Sequence, residues 1–368
     1  QSPLMLSIMT LAYYRMPEEV ALSLDNRETG RKLLFDVYVE RMSRYRSGDD
    51  AYAPKDTVHW LSWLANKMNR QNRTMFFLEN MQPSWLPREE LHHFTNGLKI
   101  TLLMPYLIAG LLAGLLGIPA YGWLAVVVGL LFGSLAGLLP ILSGRLLLGS
   151  KFSWHRIETI ETLGWSWQWT WLGAATGIVI GLVAGLIVSW LDGRTGSYSG
   201  RPWVLLAPVY VAGGIVLDRA VMRSEVKIRT TPGLGIRRSR QNGFVVGIAT
   251  TVITAVLAVV ILAVVGWAGL RVPWLVTVPW IIGGSLFLGL TAGLAYGGLA
   301  AVQYHRLRVA FRQSGFIPDE YVHFLDYAAE RSLLRKVGGG YTFMHALLLD
   351  YFSGRMEQEQ AGTAKPTL

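Results

Sequence analysis

The chain has 368 residues, 52 % of them hydrophobic, with 14 Trp, no Cys and a formal net charge of +10. That apolar share and the positive mean hydropathy read as those of a membrane protein with soluble portions and leave room for about six membrane spans plus one small folded unit. The missing cysteines exclude a disulfide framework, a Cys-based metal site and a Cys nucleophile.

The opening Gln1-Ser2-Pro3-Leu4 has neither an initiator Met nor a basic region, so it does not read as a signal peptide, and a start at Gln1 reads as that of a fragment. Pro3 to Tyr14 is an apolar run of helical spacing, broken near Pro17. Leu33, Leu34, Val37, Tyr38, Arg41 and Met42 predict a helix from Arg31 to about Tyr45, ended by Ser47-Gly48-Asp49-Asp50. The next, from Pro54 or Lys55 to about Asn72, places Trp60, Leu61, Leu64, Ala65 and Met68 on one face. Met75-Phe76-Phe77-Leu78 reads as a short strand or a buried turn, Pro83-Ser84-Trp85-Leu86-Pro87 as a rigid corner, and Pro87-Arg88-Glu89-Glu90 as a helix start with its acidic residues suited to the dipole.

Residues 101–298 then divide into apolar lengths: Thr101–Ile118, Trp123–Leu142, Trp169–Leu191, Trp203–Leu217, Phe244–Ala268 and Trp274–Gly298, none with a charged residue or His between its ends. At about 1.5 Å per residue most can cross a hydrocarbon layer of about 30 Å. The fourth is short and interrupted by Pro208. The expected fold is mainly α, a polytopic helical bundle of about six spans in three hairpins, inserted between two small cytoplasmic helical or winged-helix arms. The expected domains are 1–98, 99–300, 301–357 and a disordered tail, 358–368.

The basic residues are unevenly placed. Arg145, Lys151 and Arg156 lie between the second and third spans, and Arg219, Arg223, Lys227, Arg229, Arg237, Arg238 and Arg240 between the fourth and fifth; the shorter turns hold only Arg194, Arg201 and Arg271. This is the positive-inside pattern, and it puts both long connections and both arms on the cytoplasmic side of a plasma (inner) membrane. The seven residues from Arg219 to Arg240 are also candidates for anionic headgroups, so the partner of the excess charge is the bilayer, and nucleic acid is not expected. Ile157 to Leu163, followed by Trp165-Ser166-Trp167, reads as an amphipathic interfacial stretch.

Glycines recur at fourth positions: Gly110 and Gly114; Gly129, Gly133 and Gly137; Gly173, Gly177, Gly181 and Gly185; Gly289, Gly293 and Gly297. Such ridges let helix backbones approach closely, which predicts a tight bundle and makes a homo-oligomer a candidate assembly. Ion or proton transport would call for ionisable groups inside the spans. The polar residues there are chiefly Ser134, Thr176, Thr251, Thr254 and Thr291, which can bond to their own helix. A small transporter or channel-like protein for an uncharged or hydrophobic substrate is the alternative.

In the C-terminal arm, Ile317-Pro318-Asp319-Glu320 starts a helix with Tyr321, Phe324, Leu325 and Ala328 as its apolar face. Arg335 to Phe343 reads as two strands around a glycine turn, and a last helix begins near Met344, with His345, Leu348, Leu349 and Phe352 on one side. Phe343, His345, Asp350 and Tyr351, within Tyr341 to Phe352, resemble the end of the winged-helix domain of NACHT-type NTPases, a branch of the STAND signalling ATPases; Asp350 stands where the family usually has Glu. Pro3, in Ser2-Pro3-Leu4, resembles the Pro-Leu motif late in that family's helical domain, and residues 31–45 and 55–86 resemble the helical connection and the first half of the winged helix in bacterial members.

The resemblance implies that His345 reaches the phosphates of bound ADP, that Pro3 packs near the adenine, and that the spans split the winged-helix region. It also implies ATP or ADP with Mg in an intact parent and none bound by this portion alone. Gly144 to Lys151 approaches a P-loop but puts Ser before Lys and follows no strand. The nucleotide-binding core is therefore expected upstream of Gln1, as a partner of this chain. The expected function is the regulatory or output portion of a NACHT-like signal-transduction NTPase, non-catalytic by itself, with no catalytic residues and no metal site.

Overall fold

The computed structural model describes residues 27–44, 52–142, 156–160, 162–165, 170–171, 174–179, 181–183, 186, 221–224, 231–267 and 274–363. The chain forms two compact units, one of Gln1–Met81, Arg229–Leu234 and Arg308–Leu368, the other of Gln82–Ile228 and Gly235–Leu307.

The first unit contains α1 (Arg27–Arg44) and α2 (Pro54–Arg70). In α1 the buried stripe is Leu34, Phe35, Tyr38, Val39 and Met42, one position round from the expected face. Helix α2 starts on Pro54, which needs no N–H partner in a first turn, carries Asp56 at its positive end and Lys67 and Arg70 at its negative end, and stops where Asn72 turns left-handed (φ 51°). Its core residues are Leu61, Trp63, Leu64, Ala65 and Met68. Trp63 packs between Phe311 and Phe316, while Trp60 lies half-buried and donates to the Gly315 carbonyl at 3.0 Å.

Phe76 makes a single-residue bridge, with Leu78–Asn80 as a 3-10 turn after it. Later in the chain come α8 (Tyr321–Glu330), β3 (Leu334–Val337), β4 (Gly340–Phe343) and α9 (Ala346–Thr363), whose labels leave α3 to α7 and β1 and β2 for the second unit. Strands β3 and β4 are antiparallel, with Leu334 opposite Phe343. Phe76 pairs with Tyr341 on the other edge of β4, exchanging backbone bonds of 2.7 and 2.8 Å. The tail expected from residue 358 is instead helical as far as Thr363, and Gln358 on it accepts from Lys32.

The second unit contains α3 (Arg88–Tyr121), α4 (Leu124–Leu142), β1 (Thr162–Trp165), β2 (Val221–Ser224), α5 (Leu234–Trp267), α6 (Trp274–Gly293), a π-turn at Leu294–Gly298, and α7 (Leu299–Gln313), whose residues from Arg308 count with the first unit. The described residues are thus mainly helical, and among them three helical stretches, Arg88–Tyr121, Leu234–Val264 and Thr277–Gln313, are long and apolar enough to cross a membrane. The apolar stretches Leu124–Leu138 and Ala174–Val183 are shorter. The fourth expected span, Trp203–Leu217, lies outside the described residues.

Side chains such as Ile108, Leu112, Leu131, Leu135, Ile253 and Val260 point outward, and Trp123, Trp171 and Trp267 are strongly exposed. An apolar exterior with indoles near helix ends is the distribution that a bilayer stabilises and water does not.

Two boundaries differ from the sequence reading. The acidic start at Arg88 and the first span are one helix, because nothing between Glu90 and Thr101 breaks it. The last span does not stop at Gly298 but continues through the π-turn into α7. The stretch read as interfacial is extended backbone: Arg156 to Ile160 is irregular, with Ile157 and Thr159 buried, and Thr162–Trp165 pairs antiparallel with Val221–Ser224. Ile-Glu-Thr-Ile-Glu-Thr is rich in β-branched residues, which favour extended backbone.

Candidate functional site

The second unit is built on close backbone approaches. A Cβ on Gly110 would fall 2.2 Å from the Gly129 carbonyl oxygen, one on Gly129 2.3 Å from the Gly110 carbonyl oxygen, and one on Gly133 2.5 Å from that of Tyr106. The hydrogen that replaces each missing side chain therefore points at a carbonyl of the facing helix, the geometry of weak Cα–H···O contacts. Gly114 lies against Val126 and Ala125, and Gly137 against the side chains of Leu103 and Tyr106.

Gly289 and Gly293 face Gly243 and Gly247 of α5, two glycines four residues apart that were not singled out in the sequence. Gly177 and Gly181 are buried; Gly173 and Gly185 lie outside the described residues. The hydroxyls of Ser134, Thr251, Thr254 and Thr291 each bond to a carbonyl of their own helix, as expected. Tyr106 and Thr291 share a further bond of 3.1 Å between α3 and α6.

Gly297 does something other than pack. It sits in the π-turn with φ 130°, and a Cβ there would lie 2.1 Å from the Ser239 carbonyl oxygen. The fully buried Ser239 hydroxyl donates to the Gly297 carbonyl at 3.2 Å and accepts from the Ile160 N–H at 3.2 Å. Asn242 donates to the Ile160 carbonyl at 3.1 Å. Three residues earlier, the Gln82 side-chain amide holds both backbone groups of Ile157, donating at 3.2 Å and accepting at 2.8 Å. A strap of extended backbone is thereby held by side chains of the entry segment and of α5, beside the break between α6 and α7. Gln82, Ser239 and Asn242 have no local sequence signal, since these partners are 58 to 82 residues away.

Compared with family models, with curated proteins and with solved structures, the chain matches none. Its reading therefore rests on this geometry. Among the described residues there is no group of three or more His, Asp or Glu placed to hold a metal ion.

In the first unit, His345 caps α9. Its Nδ1 accepts from the Leu347 N–H at 3.1 Å and its carbonyl from Leu348 at 3.0 Å, which leaves Nε2 as the N–H of the neutral ring. The ring is half-buried, so one donor remains available to an anion. Phe343 is buried against Phe352, Asp350 is exposed, and the Tyr351 hydroxyl donates to Asp36, which also pairs with Arg355 at 2.9 Å. Burial, then the bond to this carboxylate, pushes the Tyr351 phenol well above its ordinary value. Tyr341, 2.7 Å from Asp326, is raised for the same two reasons. Pro3 lies outside the described residues.

Of the basic candidates, Arg237 and Arg240 are exposed and Arg238 is half-buried on α5, and Arg223 lies on β2. Arg219, Lys227 and Arg229, with the P-loop-like run Gly144 to Lys151, lie outside the described residues.

Proposed function

We propose that the chain is the membrane-anchored regulatory and output portion of a NACHT-like signalling NTPase, with no catalysis of its own and with both arms in the cytoplasm. The observation that carries this reading is the pairing of Phe76 with Tyr341. Thr342 on the Thr74 carbonyl and Asn69 on Ser353 hold the same join. A chain that leaves a folded unit and returns to it must end on the side of the bilayer where it began, so the crossings between Met81 and Arg308 sum to an even number.

The β1–β2 pair makes the same demand of residues 166–220. With α3, α4, α5 and α6 each crossing once, the apolar runs Trp169–Leu191 and Trp203–Leu217 bring the total to six. The positive-inside pattern then sets the side. The order helix, single bridge, helix, hairpin, with β4 between Phe76 and β3, supports a winged-helix-like unit interrupted by a membrane insertion. In an intact parent, His345 would offer Nε2–H to an ADP phosphate, and Arg237 and Arg240 would meet anionic headgroups.

Because the chain has no cysteine, single-Cys labelling tests the topology directly. Arg73→Cys and Glu320→Cys should react with an impermeant maleimide from the same face of sealed vesicles, and Trp123→Cys from the other. Reaction of Arg73→Cys and Glu320→Cys from opposite faces would sink the reading. For the nucleotide role, equal ADP affinity of a parent protein and its His345→Ala form would remove His345 from it. A second reading, passage of a hydrophobic substrate, is favoured by one observation, the apolar cavity described next, and a liposome flux assay separates the two.

A further inference from the structure

A cavity of about 280 Å³ lies between α3, α4 and α6. Along α3 its wall runs from Tyr106 to Tyr121, 15 residues, or roughly 22 Å at the helical rise. The cavity is therefore an elongated apolar slot, long enough to take a hydrocarbon chain lengthwise. Small residues line it, Ala109, Ala113 and Gly117 on α3 and Gly283 on α6, and Gly283 itself packs closely on Ala113, since a Cβ there would come within 3.1 Å of the Ala113 methyl. The hydroxyl of the lining residue Tyr106 is already engaged by Thr291.

The rim decides what fills it. Tyr121, Leu124, Val128 and Phe132 line the slot and are also exposed on the outer surface. On the reading of α3, α4 and α6 as membrane helices, on which this inference rests, that surface faces lipid. The slot thus opens into hydrocarbon, and its length exceeds the half-thickness of about 15 Å available to a chain of one leaflet. An apolar void leaves its lining without dispersion partners, and a lipid chain can supply them without desolvating any polar group.

We propose that this slot binds one acyl chain of a bilayer phospholipid. The test reconstitutes the full chain in vesicles of phosphatidylcholine doped with a phospholipid that carries a photoactivatable diazirine on one acyl chain, and maps the adducts by mass spectrometry. Adducts at Ala109, Ala113, Gly283 and Phe287 should exceed those at the outward-facing Ile253 and Val260 at least tenfold. Ala113→Phe, which fills the slot, should abolish the excess while leaving the adducts on α5 unchanged.

Gly283→Leu fills the same space from α6 and serves if Ala113→Phe does not fold; the excess should vanish there too. Adducts spread evenly over the outward faces, with no excess in the slot, would overturn the proposal and leave the membrane reading standing. No adducts on any helix would overturn both.

Discussion

Replacing Gly129 by Ala adds one methyl at the closest point between α3 and α4. The new Cβ would lie 2.3 Å from the Gly110 carbonyl oxygen and 2.9 Å from both Cα and N of Gly114, against an ordinary contact of 3.4 Å or more. All three atoms are main chain, so no rotamer change relieves the overlap, and the helices must part by about 1 Å. A gap of that size forfeits up to about half of each dispersion contact along the seam. The methyl gains about 1 kcal/mol of helix propensity, while overpacking costs about 1–3 kcal/mol and the lost seam contacts add to that cost.

The balance is a net loss of about 2 kcal/mol, or roughly 3 °C in melting temperature for a chain of this size. Gly266→Ala is the matched control, since nothing lies within 4 Å of its would-be Cβ; it should leave stability unchanged or raise it by up to about 1 kcal/mol. Tryptophan fluorescence during thermal unfolding in mild detergent reads both. If Gly129→Ala melts at or above the parent, the carbonyl-to-glycine seam is not what holds α3 to α4.

Gln82→Leu removes both bonds to Ile157 and leaves two partly buried backbone groups unpaired, a loss of about 1–3 kcal/mol each if water does not replace them. Amide exchange at residues 157–160 should quicken at least tenfold, and unchanged exchange would show that the strap is held by something else. Phe76→Ala should destabilise the first unit by about 3–5 kcal/mol, because this nearly fully buried ring packs against Tyr321; urea unfolding followed by circular dichroism checks it. Ser332 holds a left-handed φ of 58°, so Ser332→Gly should raise the melting temperature through about 1 kcal/mol of relieved backbone strain.

The phenols of Tyr341 and Tyr351 are raised in the folded state, so they stay protonated where the unfolded phenols ionise. Their contribution is complete below the unfolded value of about 10 and is lost as pH rises through the folded values. Stability measured from pH 8 to 12 should therefore fall above about pH 10, and the double variant Tyr341→Phe and Tyr351→Phe should start lower and fall less.

Local pattern made much of the fold legible. Proline and acidic residues marked the starts of α2 and α3, the glycine turn marked β3 and β4, and the fourfold glycine spacing pointed to close helix packing, because each of these signals lies within a few turns of chain. The strap was not legible. Gln82, Ser239 and Asn242 are ordinary polar residues until a stretch of backbone far along the chain is laid against them. The break between α6 and α7 was hidden for a related reason: Gly297 looked like the end of a glycine ridge, and only the Ser239 carbonyl beside it makes a side chain there impossible.

Composition and periodicity alone determined that long apolar helices lie between two polar arms, since helix length and side-chain transfer energy are properties of each segment by itself. Only the tertiary structure decided that Phe76 and Tyr341, 265 residues apart, share one small sheet. Backbone hydrogen bonding carries no side-chain label, so which strand completes a sheet is settled by what the rest of the fold brings within reach.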